Sequence, residues 1–192
     1  MDIALLLNAY TQGLFPMAEE NGDIYWYDPD PRAILPLDRF HVPRRLARAA
    51  RQGRFEIRAD TAFRRVMELC AAPAPDRATT WINDELIDAY TRLHQAGFAH
   101  SVEAWQDNKL VGGLYGVSVG GLFAGESMFS RRRDASKVAL VHLVDRLRQG
   151  GFVLLDTQFA TPHLAQFGVI EIPRREYKRR LKAALQVPAQ FN

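Results

Sequence analysis

Cysteine is nearly absent from this chain: of its 192 residues, Cys70 alone is a cysteine. An intrachain disulfide and a multi-cysteine metal site are excluded, and a reducing cytoplasm is the expected setting. The five histidines, at positions 41, 94, 100, 142 and 163, fall at no metal-ligand spacing, so no metal is expected. Long apolar runs are also missing. Residues 3–7 are apolar, but a membrane span needs roughly 20 such residues. The basic flank and small-residue cleavage site of a secretory signal are lacking too. A soluble protein without a membrane partner is expected. No phosphate loop is present, because Gly112-Gly113 and Gly120-Gly121 sit in strand-and-turn sequence without Walker or dinucleotide context. Finally, residues 1–30 contain no Lys or Arg, yet hold six acids: Asp2, Glu19, Glu20, Asp23, Asp28 and Asp30.

What is present is globular in character. Hydrophobic residues make up 47% and charged residues 24%, which excludes disorder and low complexity. The length fits one domain, or one domain with a small lobe. Beyond residue 30, 25 Lys and Arg face 16 Asp and Glu, a net of +9, so the body is suited to a polyanion. The charge balance changes at Asp28-Pro29-Asp30-Pro31, where two prolines break any regular element. A boundary is therefore expected near 31, with a small acidic N-terminal lobe at 1–31 and the main domain at 32–192.

Apolar periodicity and turn chemistry predict the elements in outline. Helices are expected at 3–12, 44–52, 61–71 capped by Asp60, 84–96 capped by Asn83, 134–149, 161–166 and 173–185. Strands are expected at 24–27, 33–37, 55–58, 99–106, 109–118, 122–130, 152–157 and 169–172, with an irregular loop at 72–79. The middle three strands read as a meander turning at Asp107-Asn108 and Gly120-Gly121. The almost wholly apolar 152–155 reads as a buried central strand. The order predicts an α+β domain with a mixed sheet.

Three constellations could carry chemistry. In Gly125-Glu126-Ser127-Met128-Phe129-Ser130, strand alternation would put Leu122, Ala124, Glu126 and Met128 on one face. A carboxylate among apolar neighbours needs a partner; an internal arginine or a ligand ammonium would serve. Asp156 and Gln158 end the apolar strand, where α/β sites tend to lie, although a turn or helix cap explains them equally well. Residues 44–65 carry eight arginines, and Arg44, Arg48 and Arg51 form one helical stripe suited to phosphate oxygens. A second basic cluster, at 174–182, reads as a solvated helix face.

The chain resembles the bacterial leucyl/phenylalanyl-tRNA–protein transferases over nearly its full length. The matching blocks are Ala9-Tyr10-x-x-Gly13-x-Phe15-Pro16, Trp26-x-x-Pro29-Asp30-Pro31-Arg32, Thr80-Trp81-Ile82, His100-Ser101-Val102-Glu103-x-Trp105, residues 110–116, Gly125 to Ser130, Ala135-Ser136-Lys137 and Asp156-x-Gln158. The resemblance implies a Gcn5-related acyltransferase-like fold. It implies transfer of Leu or Phe, with Met a third candidate, from charged tRNA to the N-terminal Arg or Lys of proteins, marking them for degradation. No cofactor is needed, because the aminoacyl ester is already activated. By position, Asp156 and Gln158 would be catalytic, and Glu126 would receive the α-ammonium of the tRNA-borne amino acid. Met128, Leu114, Phe123 and Leu140 would shape its side-chain pocket, and Trp81 would stack on the terminal adenosine. Arg44, Arg48, Arg51, Arg131, Arg132 and Arg133 would hold phosphates, and a monomer is expected.

Two departures stand out. Many members have Trp where this chain has Met17, so stacking there would be weaker. The chain also begins almost at its first helix, without the leading Gly-Gly-Asp segment, so a smaller lobe is expected. The acid-only start would attract a basic acceptor residue, although a solvated surface is the simpler reading. The rival activity on the same fold is an acyl-coenzyme A-dependent N-acetyltransferase. That class needs a Gly-rich turn before the helix at 134, and Arg131-Arg132-Arg133-Asp134-Ala135 has no glycine. A non-catalytic RNA-binding module would explain the arginines but would leave Glu126, Asp156 and Gln158 without a role.

Overall fold

The computed structural model describes residues 1–73 and 80–192, so most of the loop expected at 72–79 lies outside the described residues. Helix α1 (Ile3–Thr11) starts where the Asp2 carboxylate accepts the Ala4 N–H. The chain leaves it through Gly13 at φ +79°, where a Cβ would lie 2.9 Å from the Tyr177 ring, so glycine is required for conformation and for space. Strands β1 (Phe15–Ala18) and β2 (Ile24–Tyr27) form a separate hairpin. The Pro16 in β1 obscures that strand in sequence, but a two-stranded ribbon tolerates a missing donor. Leu6, Tyr10, Phe15 and Ala18 are buried in the same core as residues of α3 (Phe63–Ala71) and α4 (Asp84–Gln95).

The main sheet runs in the order β4 (Glu56–Ala59), β5 (Ala99–Gln106), β6 (Lys109–Val119), β7 (Leu122–Ser130), β8 (Leu154–Gln158), β3 (Arg32–Ile34), β9 (Ile170–Ile172). Its neighbours are antiparallel except for β7 and β8, so the sheet is mixed and the class is α+β, flanked by helices as expected. Leu114 and Tyr115 are successive on β6 yet enter different core clusters. Side chains alternate across a strand, so α5 (Ala135–Gln149) covers one face and α3 with α4 the other. The arginine helix is α2 (Arg44–Arg51); α6 (Pro162–Ala165) and α7 (Arg174–Ala184) complete the chain.

The meander stands where expected, with Asp107 and Asn108 both at positive φ in its first turn. Asn83 caps α4 by accepting the Leu86 N–H. Three expectations need correction. The strand at 33–37 stops at Ile34, passes into a 3-10 turn at Leu37–Arg39, and is inserted between β8 and β9. The strand expected from 152 begins at Leu154. Asp60 does not cap α3: it sits at φ +59° and accepts from the Ser101 N–H, while His100 lies 2.8 Å away. The fully buried Glu103 accepts the Thr61 and Ala62 N–H groups, so the helix entry is satisfied from strand β5.

Candidate active site

Strands β7 and β8 pair only over Leu122–Ala124 and Leu154–Asp156. Beyond that point they separate, and a cavity of about 810 Å³ occupies the opening. The separation begins at a bulge. In β6 and β7, Gly116 opposes Gly125 and Tyr115 opposes Ser127, so Glu126 is the extra residue. An extra residue reverses the alternation that follows it. The expectation that Leu122, Ala124, Glu126 and Met128 share a face is therefore overturned. Ala124 and Phe129 face α3 and α4, whereas Phe123 and Met128 face α5.

Glu126 lines the cavity and is partly buried. Burial pushes its carboxyl up to about 8, and the charge of Asp156 adds to this, while hydrogen bonds from the Tyr10 and Tyr90 hydroxyls and the charge of Arg32 oppose it. The two tyrosines come from α1 and α4, and their hydroxyls also bond to each other. Burial raises both of their own pKa values well above the ordinary range. Across the splay, Gln158 Nε2 donates to Glu126 Oε1 at 3.3 Å.

Asp156 is fully buried and does not line the cavity. Its Oδ1 accepts from Arg32 Nε and from the Gln158 backbone N–H, both at 2.9 Å. Its Oδ2 accepts from Arg32 Nη2 at 2.6 Å and from the Tyr177 hydroxyl at 2.7 Å. With four donors on its two oxygens, Asp156 is placed to hold its neighbours and offers no free acceptor to the proton of an attacking amine. It holds Gln158 by the backbone, not by the side-chain amide.

Of the pocket residues expected from sequence, Leu114, Met128 and Leu140 line the cavity. Phe123 does not; it is fully buried against the rings of Phe152 and Phe191. It shares the core face of Leu114, Met128 and Leu140 but lies too far back along the strand. Trp81 and Met17 are partly buried against the core of α3 and α4 and are not in the cavity wall. The Ala18 N–H donates to the Trp81 carbonyl at 3.0 Å, which brings Trp81 beside the hairpin carrying Met17. Arg44, Arg48 and Arg51 are exposed on α2, as are Arg131, Arg132 and Arg133 ahead of α5. Arg45 approaches Asp134 at 3.5 Å and so joins the two basic groups, while Arg131 also lines the cavity.

Sequence reasoning gave no role to Arg32, Tyr177, Thr157 or His163. Thr157 Oγ1 and His163 Nε2 are buried, line the cavity wall by residue, and have no hydrogen-bond partner among the described residues. Burial lowers the His163 pKa, with Lys137 adding to the effect. The acids expected to attract a basic acceptor are partly engaged: Asp28 pairs with Lys178 at 2.9 Å, and Asp30 accepts the Arg174 N–H at 3.0 Å. No group of three or more His, Cys, Asp or Glu among the described residues could hold a metal, and no described helix is long and apolar enough to cross a membrane.

Comparison with known proteins fits this geometry into a family. A solved structure of L-PGS from Bacillus licheniformis is 13% identical, with a TM-score of 0.44 over 94% of this chain and 69% of that one. Residues 34–182 match the family model for leucyl/phenylalanyl-tRNA protein transferase, and residues 1–30 match that family's N-terminal domain. The leucyl/phenylalanyl-tRNA–protein transferase of Herpetosiphon aurantiacus is 64% identical over 97% of this chain and 96% of its own length. That of Gloeobacter violaceus is 62% identical over 97% of this chain and 95% of its own. With both segments matched and identity at this level along nearly the whole chain, the protein belongs to the leucyl/phenylalanyl-tRNA–protein transferase family.

Proposed function

We propose that this protein transfers Leu or Phe, with Met a third candidate donor residue, from charged tRNA to the N-terminal Arg or Lys of cytoplasmic proteins. The acceptor amine forms an amide bond with the aminoacyl carbonyl carbon, and the ester bond to the ribose breaks. The amine loses a proton, and the departing ribose oxygen ends as a hydroxyl. The observation that carries this reading is the carboxyl of Glu126 and the amide of Gln158, 3.3 Å apart across the splay of β7 and β8 at the wall of one cavity.

Each group has a role that suits its chemistry. Glu126 receives the α-ammonium of the donor residue. An ammonium beside it favours ionisation, so binding releases the proton that burial holds on the empty site. Leu114, Met128 and Leu140 surround the donor side chain, and Met128 can deform to accept either an aliphatic or an aromatic group. Gln158 orients the acceptor amine and the ester. A carboxamide is a poor base, so its contribution is alignment, which is worth up to about 7–11 kcal/mol when two reactants are fixed in line. Asp156 acts behind it as a positioning residue. Trp81 and Met17 flank the terminal adenosine, and Arg44, Arg48, Arg51, Arg131, Arg132 and Arg133 hold acceptor-end phosphates. Residues 1–31 form a lobe closing one side of the site, and a single chain supplies every group named.

The rival acyl-coenzyme A activity is disfavoured by the turn before α5. It carries Asp134 at the helix cap, where a pyrophosphate would need amide donors and no negative charge. The test is incubation with tRNA charged with labelled Leu and a peptide beginning with Arg. Labelled peptide is expected. Absence of label under conditions where a related enzyme works, or acetylation of the peptide from acetyl-coenzyme A, would overturn the reading.

A further inference from the structure

We propose that Arg32 and Tyr177 are positioning residues for transfer, which together with Asp156 lock the Gln158 backbone in the conformation that aims its amide at Glu126. The inference rests on the assignment of Gln158 to the reacting ester.

Arg32 is 1% exposed and has a partner for each arm of its guanidinium. Nε and Nη2 fork onto Asp156, and Nη1 donates to the Gly13 carbonyl at 2.9 Å. The guanidinium also lies over the rings of Phe15, at 4.8 Å, and Tyr177, at 4.4 Å. The Tyr177 hydroxyl adds a further donor to Asp156. An immobilised carboxylate can direct a neighbouring backbone, and this one accepts the Gln158 N–H two residues along the chain. Gln158 needs such help. It stands at φ +57°, a left-handed conformation that a non-glycine residue adopts reluctantly. The strand ladder is irregular at this point, because Ala33 opposes Gln158 while Ile34 opposes Asp156, leaving Thr157 as the extra residue. The buried side chains around Asp156 therefore set the direction of Gln158. Because Arg32 grips Gly13 and stacks on Phe15, the N-terminal segment takes part in the same lock.

A purely structural pair would change stability and leave the chemistry of the folded enzyme intact, whereas a positioning pair acts through Gln158. The experiment is a double-mutant cycle read in kcat and KM. Arg32→Lys keeps the charge and loses the fork; kcat should fall about 100-fold, as for a misplacement near 1 Å. Tyr177→Phe keeps the ring and removes one donor to a charged group; kcat should fall about tenfold. KM for charged tRNA should stay within about twofold in both. In a Gln158→Ala background, both losses should shrink to within about twofold, since the residue they position is gone. Tyr177→Phe preserves shape and carries the test if Arg32→Lys does not fold. Losses that persist in full beside Gln158→Ala, unchanged kcat in folded Tyr177→Phe, or a raised KM at constant kcat would overturn the proposal. Wild-type kcat in Gln158→Ala alone would overturn the assignment beneath it, a separate and recognisable failure.

Discussion

Two carboxyl groups flank Gln158, and they live in opposite circumstances. Asp156 is fully buried within the sheet, with four donors on its two oxygens. Glu126 faces the cavity from a bulge, with two tyrosine hydroxyls and one amide near it and, among the described residues, no cation in contact. The first carboxylate is complete without a substrate. The second is pushed up to about 8 by burial and becomes better satisfied when an ammonium arrives. The lesson is that a buried acid near a reaction centre serves the scaffold when its donors come from the protein. It serves the substrate when they are left for a ligand to supply.

That contrast can be broken most forcefully at Asp156. Replacing it by Ala strands Arg32 as a buried unpaired cation, which costs about 3–5 kcal/mol. Calorimetry should show a large fall in Tm, and kcat should fall at least about 100-fold, with tRNA affinity close to normal. Glu126→Gln should behave differently. It removes a carboxyl that is costly to ionise in the empty protein, so Tm should hold or rise. KM for charged tRNA should increase about tenfold or more, through loss of one charge-assisted contact.

The pH response sharpens the same difference. The folded pKa of Glu126 is raised above its unfolded value, so the native state holds a proton that the unfolded state has released between about 4.5 and about 8. Stability from this group is full at the acid end and declines as pH rises through that window. Subtracting the Tm profile of Glu126→Gln from that of the wild type should reveal this decline. Donor binding should move the other way, tightening as pH rises from 6 toward 8 and losing that dependence with an N-acetylated donor. The smallest expected effect concerns the arginine stripe. Arg48→Ala should weaken tRNA binding and reduce the slope of log affinity against log salt by about one. An unchanged slope would make the stripe a solvated helix face.

The sequence made most local structure legible. Asn83, Gly13 and the meander turns announce themselves because their chemistry is local: a side-chain oxygen at a helix start, a residue tolerant of positive φ, a two-residue hairpin loop. The site was legible by type and less so by geometry. Nothing in residues 122–130 reveals that Glu126 is the extra residue, because a bulge is set by the partner strand and by Gly116. A Cβ at Gly116 would lie 2.4 Å from the Ala124 carbonyl oxygen. One unseen insertion was enough to misassign the face of Met128 relative to Ala124. Arg32 was hidden for a different reason. An arginine after Asp-Pro-Asp-Pro reads as a surface residue, and its partners Asp156 and Tyr177 are 124 and 145 positions away. Long-range polar pairing has no periodicity to betray it. The cap of α3 by Glu103, from a strand 41 residues on, was missed for the same reason.

The division of labour between the two carboxyls is tested most directly by one steady-state measurement. Transfer of labelled Leu to an Arg-peptide would be followed across a range of charged-tRNA concentrations, with Glu126→Gln and Asp156→Asn assayed side by side. The expected result is a Glu126→Gln defect concentrated in KM and an Asp156→Asn defect concentrated in kcat. The reverse pattern, or an Asp156→Asn enzyme that turns over normally, would contradict it.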